Sequence, residues 1–173
     1  MATPETVTQN TLIRDADALL SIEPIVVQRE EDLQNVAEVA TRRPGARVIC
    51  VVDANRHLVG IIPVRVLVNE IFLKIVPEEF LGEILDYDHV LDYAKHLGAR
   101  TAGDIMLDPV SVHLGDTVRD AFTRMHRDDL IGLPITDDVG SVVGYVDQLE
   151  LLLVWVRACG LGPMLGRNPT EET

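Results

Sequence analysis

The chain repeats itself. EPIVVQREEDLQNVAEVATRRP, starting at Glu23, lies in register with DPVSVHLGDTVRDAFTRMHRDD, starting at Asp108, at a constant separation of 85 positions; Pro24 matches Pro109 and Val27 matches Val112. Further on, RVICVVDANRHLVGIIPVRVLV from Arg47 matches IGLPITDDVGSVVGYVDQLELL from Ile131 at a separation of 84, which pairs Asp53 with Asp137 and Gly60 with Gly144. A duplicated unit restricts the fold severely, because both copies must adopt one shape and each must offer the other a face to bury.

Each copy reads strand, helix, strand, strand, helix. Leu33, Val36, Ala37 and Ala40 fall at helical spacing on one apolar stripe, and Val118, Ala121, Phe122 and Met125 repeat it. Asp116, just ahead of the second stripe, is the expected N-cap. The β-branched runs on either side of Asp53–Arg56 and Asp137–Gly140 mark antiparallel hairpins. Gly60 and Gly144 in the returning strands mark either a bulge or a place where another backbone or a ligand comes close. The expected fold is α+β, with two βαββα units packed sheet to sheet about a pseudo-two-fold axis. The expected divisions are an N-terminal segment 1–17, a first repeat 18–69, a helical connector 70–100, a second repeat 101–159 and a flexible tail 160–173.

Thr101 to Glu150 resembles a CBS domain throughout. The markers are Asp104-Ile105-Met106 before a proline-led strand, Leu133-Pro134-Ile135 opening the hairpin, and Val143-Gly144-Tyr145-Val146 closing it. The first copy, in register with the second, extends the likeness over most of the chain. The resemblance implies a tandem pair, or Bateman module, whose inter-repeat clefts take adenosine-containing ligands such as AMP, ATP or S-adenosylmethionine. It also implies dimerisation into a disk.

The family's nucleotide signature sets a Thr or Ser three residues after the hairpin glycine and an Asp, which receives the ribose hydroxyls, six residues after it. Counted from Gly60 these positions hold Pro63 and Val66, and neither can act. Losing the carboxylate alone weakens ribose binding by roughly 10- to 100-fold. Counted from Gly144 they hold Asp147 and Glu150. The resemblance thus points to a ligand cleft formed by Pro109, Val110, Ile131, Leu133, Pro134, Asp147 and Glu150, the three middle residues walling a base. Asp147 adds a negative charge that Arg47, Arg100 or another cation must offset near a phosphate. The competing reading keeps Glu150 as an exposed residue in a first helical turn, where a negative charge suits the helix dipole.

Composition narrows the function classes. A net charge of −13 repels a phosphate backbone, so nucleic acid is not an expected partner. The longest strongly apolar run, Leu151–Val156, falls far short of the roughly 18–20 residues that span a bilayer. The opening MATPETVTQN lacks the regions of a secretory signal, which makes the cytoplasm the expected location. Cys50 and Cys159 form no CxxC pair and read as reduced thiols, with Cys50 a small buried hydrophobe. Nucleophile-elbow, P-loop, zincin and dinucleotide motifs are all missing from the sequence. No cofactor is expected, and the chain reads as a non-enzymatic module.

Between the copies, Tyr87, Val90, Leu91, Ala94 and Leu97 form one helical apolar face that Gly98 can end. His89, Asp92 and His96 share another face, with metal-ligand spacing but no fourth ligand, so a solvated polar face is the simpler reading. The run Gln148–Cys159 is apolar all round and is expected to lie partly at a homodimer interface, with Trp155 as a candidate anchor. The functional expectation is a stand-alone sensor of a small molecule that signals to a partner, a transporter or an enzyme. Its rival is a ligand-free dimerisation or docking module.

Overall fold

A computed structural model describes residues 7–16, 20–75 and 98–158. The elements in chain order are α1 (Ile13–Ala16), β1 (Ile25–Gln28), α2 (Leu33–Thr41), β2 (Val48–Val52), β3 (Leu58–Pro63) and α3 (Val64–Ile75). They continue with α4 (Ala102–Ile105), β4 (Val112–His113), α5 (Val118–Arg127), β5 (Gly132–Thr136), β6 (Val142–Asp147) and α6 (Gln148–Ala158). The expected connector helix with His89, Asp92 and His96, the side chain of Trp155, and the tail lie outside the described residues.

Both repeats build the same three-stranded sheet. β1 runs parallel to β2 and β2 antiparallel to β3; β4, β5 and β6 repeat that order. Register follows the duplication: Val51 pairs with Gly60 and Ile135 with Gly144, and each ladder shifts at the next residue. Each hairpin turn is closed by an aspartate. Asp53 Oδ1 accepts the Asn55 and His57 N–H groups at 2.8 and 2.9 Å, while Asp137 Oδ1 accepts those of Val139 and Ser141 at 3.1 and 2.8 Å.

The sheets meet around a single core, in which Leu33 and Val118 occupy equivalent buried places at the first residue of α2 and α5. Ile25, Ile49, Ile62, Leu133, Ile135 and Val146 are fully or almost fully buried in it. Each such side chain contributes roughly 1.5–3 kcal/mol. Neither sheet could hide this surface alone.

The N-cap of α5 is Thr117 rather than Asp116. Its hydroxyl accepts the Asp120 N–H, and Asp120 returns the favour at the Thr117 N–H in a capping box. Asp116 sits one residue too early to reach the helix N–H groups, and it accepts the His113 N–H instead.

The entry segments are exchanged between repeats. The Ala102 and Gly103 N–H groups donate to Glu31 and Arg29 carbonyls of the first repeat, and the Leu33 N–H donates to the Arg100 carbonyl. Across the axis, Ile13 and Arg14 donate to Asp116 and Leu114, and Val118 donates to Thr11. Thus α1, far from β4 in sequence, docks on the second repeat just as α4 docks on the first.

Candidate functional site

Two strand starts converge near the axis. Arg47 leads into β2 and Ile131 into β5, the same position in the two copies. The Arg47 carbonyl accepts the Val64 N–H at 2.9 Å, and the Ile131 carbonyl accepts that of Gln148 at 2.9 Å, so α3 and α6 both start beside these residues. The Tyr145 hydroxyl then accepts the Arg47 N–H at 3.0 Å and ties the repeats together.

A groove of about 440 Å³ opens at this junction, within the range of small-molecule sites. The first repeat supplies Arg47, Val48, Pro63, Val64, Arg65, Val68 and Asn69; the second supplies Asp129, Leu130 and Ile131. The walls are mostly apolar. Two guanidinium groups line the groove against one carboxylate, Asp129, whose Oδ2 lies 3.6 Å from Arg65. Among the described residues no carboxylate comes within ion-pair distance of Arg47, which leaves its charge available to an anion.

The residues expected to form the cleft are placed unevenly. Ile131, about half exposed, stands in the wall of the groove. Leu133 is wholly inside the core and Pro134 is buried. The β5–β6 ladder sets Gly132 opposite Asp147 and Pro134 opposite Tyr145. Pro109 is exposed and Val110 half-buried ahead of β4, which lies on the far side of β5 from β6.

Asp147 is buried, and its Oδ1 accepts the Leu149 N–H at 2.8 Å, which caps α6. Burial holds its carboxyl above the usual range, with Glu150 adding to the rise. The Leu149 N–H and the nearby Arg47 charge pull the other way. Of the two cations expected to offset Asp147, Arg47 acts on it.

Glu150 is already engaged. Its Oε1 accepts both the Ser21 N–H at 2.7 Å and the Ser21 hydroxyl at 2.8 Å. Its Oε2 is enclosed with no hydrogen-bond partner among the described residues. The carboxylate that the resemblance would assign to a ribose therefore holds the chain's own entry segment.

Gly60 serves as a point of close approach. A Cβ there would lie 2.5 Å from Met106 Sδ and 3.0 Å from the Leu107 carbonyl oxygen, while Ile61 and Leu107 exchange backbone hydrogen bonds at 3.1 and 2.8 Å. The neighbours are the Met106 side chain and the Leu107 backbone that follow α4, and the close approach coincides with the bulge. Cys50 is fully buried, and burial pushes its thiol up to about 12, so it stays protonated and unreactive. No described helix is long and apolar enough to cross a membrane.

Sequence reasoning overlooked Val64, Arg65, Val68, Asn69, Asp129 and Leu130. The signal for them was the register itself, since Arg47 and Ile131 match in the two copies and both line the groove.

Comparison with known proteins agrees with this architecture. A CBS domain-containing protein from Thermotoga maritima is 25% identical, with 93% of this chain and 99% of that chain covered at a TM-score of 0.66. A CBS domain pair solved with 5′-methylthioadenosine and S-adenosyl-L-methionine is 20% identical over 84% of this chain and 95% of its own, with a TM-score of 0.61. CBSX2, solved in complex with AMP, is 16% identical over 82% and 93% of the two chains, at a TM-score of 0.57. Curated protein sequences give no match. The CBS domain profile matches residues 13–73 and again 102–156, most of the chain, and the protein therefore belongs to the CBS domain family.

Proposed function

We propose that this protein is a non-enzymatic regulatory module that takes an adenosine-containing small molecule in the groove between its repeats and passes its bound state to a partner. The carrying observation is the groove at the axis, which joins both repeats and combines apolar walls with Arg47, which has no ion-pair partner among the described residues. Arg47 suits a phosphate, and Val48, Pro63 and Ile131 suit a base. AMP and ATP fit this description, as does S-adenosylmethionine through its carboxylate. The ligands of the two complexed relatives support the same class. Because the walls come from both repeats, a ligand that favours one spacing of the repeats shifts their relative angle. A homodimer mate, and through it a transporter or metabolic enzyme in the cytoplasm, would feel that shift.

Ligand-free docking is the second reading. The Ser21 contact to Glu150 favours it, because the acid that a ribose would need is occupied.

A thermal-shift panel of AMP, ADP, ATP, S-adenosylmethionine and NAD decides between them. A ligand at 100 times its dissociation constant adds about 2.7 kcal/mol of stability. A shift with one member that Arg47→Ala removes supports the groove; no shift with any member leaves docking as the function.

A further inference from the structure

The two entry segments match in register but are held in different ways. At the first repeat the stretch after α4 is bound to β3 by backbone: Leu107 and Ile61 exchange hydrogen bonds at 3.1 and 2.8 Å, and Met106 occupies the space above Gly60. At the second repeat the matching residues are Ser21 and Ile22, opposite Tyr145. Among the described residues no backbone bond joins Ile22 to Tyr145. Nor does this stretch press on Gly144, since the three atoms nearest a Cβ there all belong to Ile135, at 3.2 to 3.8 Å.

Ser21 is held to the second repeat by the Glu150 carboxylate, where the first repeat has Val66. The next anchors lie on the first repeat: Arg43 donates to the Pro24 carbonyl at 2.7 Å and pairs with Glu23 at 3.2 Å. The stretch is thus fixed on one repeat and latched to the other through one side chain. The latch is also incomplete. Both Ser21 donors converge on Oε1, while Oε2 is enclosed with no partner among the described residues. An enclosed carboxylate oxygen without a donor carries its full desolvation penalty. A group with two adjacent hydroxyls can give one to each oxygen, in the manner of a bidentate donor, and so satisfies this carboxylate better than Ser21 does.

We propose that residues 20–22 are a displaceable strap: the vicinal diol of a ligand takes Glu150 from Ser21, and the freed stretch reports that the second repeat is occupied. This rests on the ligand-sensing reading and names the event that turns binding into a change in the chain.

The test is hydrogen exchange on the full chain, read at residues 20–24 and at residues 106–110, with AMP and with 2′,3′-dideoxy-AMP, which lacks the diol. AMP is expected to speed exchange at Ser21 and Ile22 about tenfold, while Leu107 stays protected. The dideoxy analogue is expected to change neither. In calorimetry, Ser21→Ala removes one competing donor and is expected to bind AMP about tenfold more tightly than the parent. A contact that only braces the fold would not tighten binding when removed. AMP binding with unchanged exchange at Ser21, or with equal or weaker affinity in Ser21→Ala, would overturn the strap and leave the ligand reading intact. Equal loosening by the dideoxy analogue would overturn the role of the diol. Binding by Ser21→Ala alone would support the proposal, with the strap closing the site in the parent. Binding by neither protein would overturn the ligand reading and the displacement together.

Discussion

Tyr145 and Gly132 form a single packing unit, for a Cβ at Gly132 would lie only 1.9 Å from the Tyr145 hydroxyl oxygen. The first repeat solves the same position with Val48 and Ile61, a larger residue on one strand and a smaller one on the next. The exchange frees the tyrosine hydroxyl to reach the Arg47 N–H of the other repeat.

Gly132→Ala should therefore destabilise by about 1–3 kcal/mol through overpacking. The double change Gly132→Val with Tyr145→Ile, which copies the first repeat, should recover most of that loss in urea unfolding. Tyr145→Phe removes the hydroxyl that accepts the Arg47 N–H and should cost about 1 kcal/mol. Equal losses for Gly132→Ala and the double variant would show that the two residues are not a unit.

The hairpin turns allow a second test. Arg56 and Gly140 hold the same turn position, with φ of 67° and 86°. Left-handed backbone costs a non-glycine residue roughly 1–2 kcal/mol, which the greater chain entropy of glycine partly offsets. Arg56→Gly should stabilise by about 0.5–1 kcal/mol, and Gly140→Arg should destabilise by a similar amount, both read from urea midpoints. A destabilised Arg56→Gly would contradict the assigned turn.

Acid titration separates the two kinds of aspartate. Burial raises the Asp147 carboxyl in the folded state, so its contribution to stability is complete at acid pH and is lost as pH rises through the raised value. Asp147→Asn, which can still cap α6, should be more stable than the parent at pH 7, and the advantage should vanish below the usual carboxylate range near pH ~3.9. Asp120 behaves oppositely. The Thr117 N–H and hydroxyl hold it below the usual range, so its contribution is present above that range and fades as pH falls through its lowered value. Parallel pH profiles for Asp147→Asn and Asp120→Asn would contradict this assignment.

The duplication made most of the fold legible, because hydrophobic period, hairpin aspartates and strand glycines recur at fixed spacing. Asp53 and Asp137 could be read as turn residues since their bonds are local. Thr117 and Asp116 are one residue apart, and because a one-residue shift of the cap changes nothing in the apolar pattern, the pattern does not choose between them. The exchange of α1 and α4 left no sequence signal, as each segment finds its partner through backbone carbonyls that any residue supplies. The seat of Ser21 on Glu150 was hidden for a related reason: residues 129 positions apart meet only after that exchange. The groove followed from register, but its outline depended on side-chain volumes at α3 and β5 that pattern alone does not rank.

The most direct measurement is a calorimetric titration of the full chain with AMP, repeated on Ile131→Trp. Ile131 is half exposed in the groove wall, so the indole fills the site without disturbing the core. Saturable heat from the parent protein and none from Ile131→Trp is the predicted result. Identical heats from both proteins would place the nucleotide outside the junction of the repeats, and no heat from either would remove AMP as its ligand.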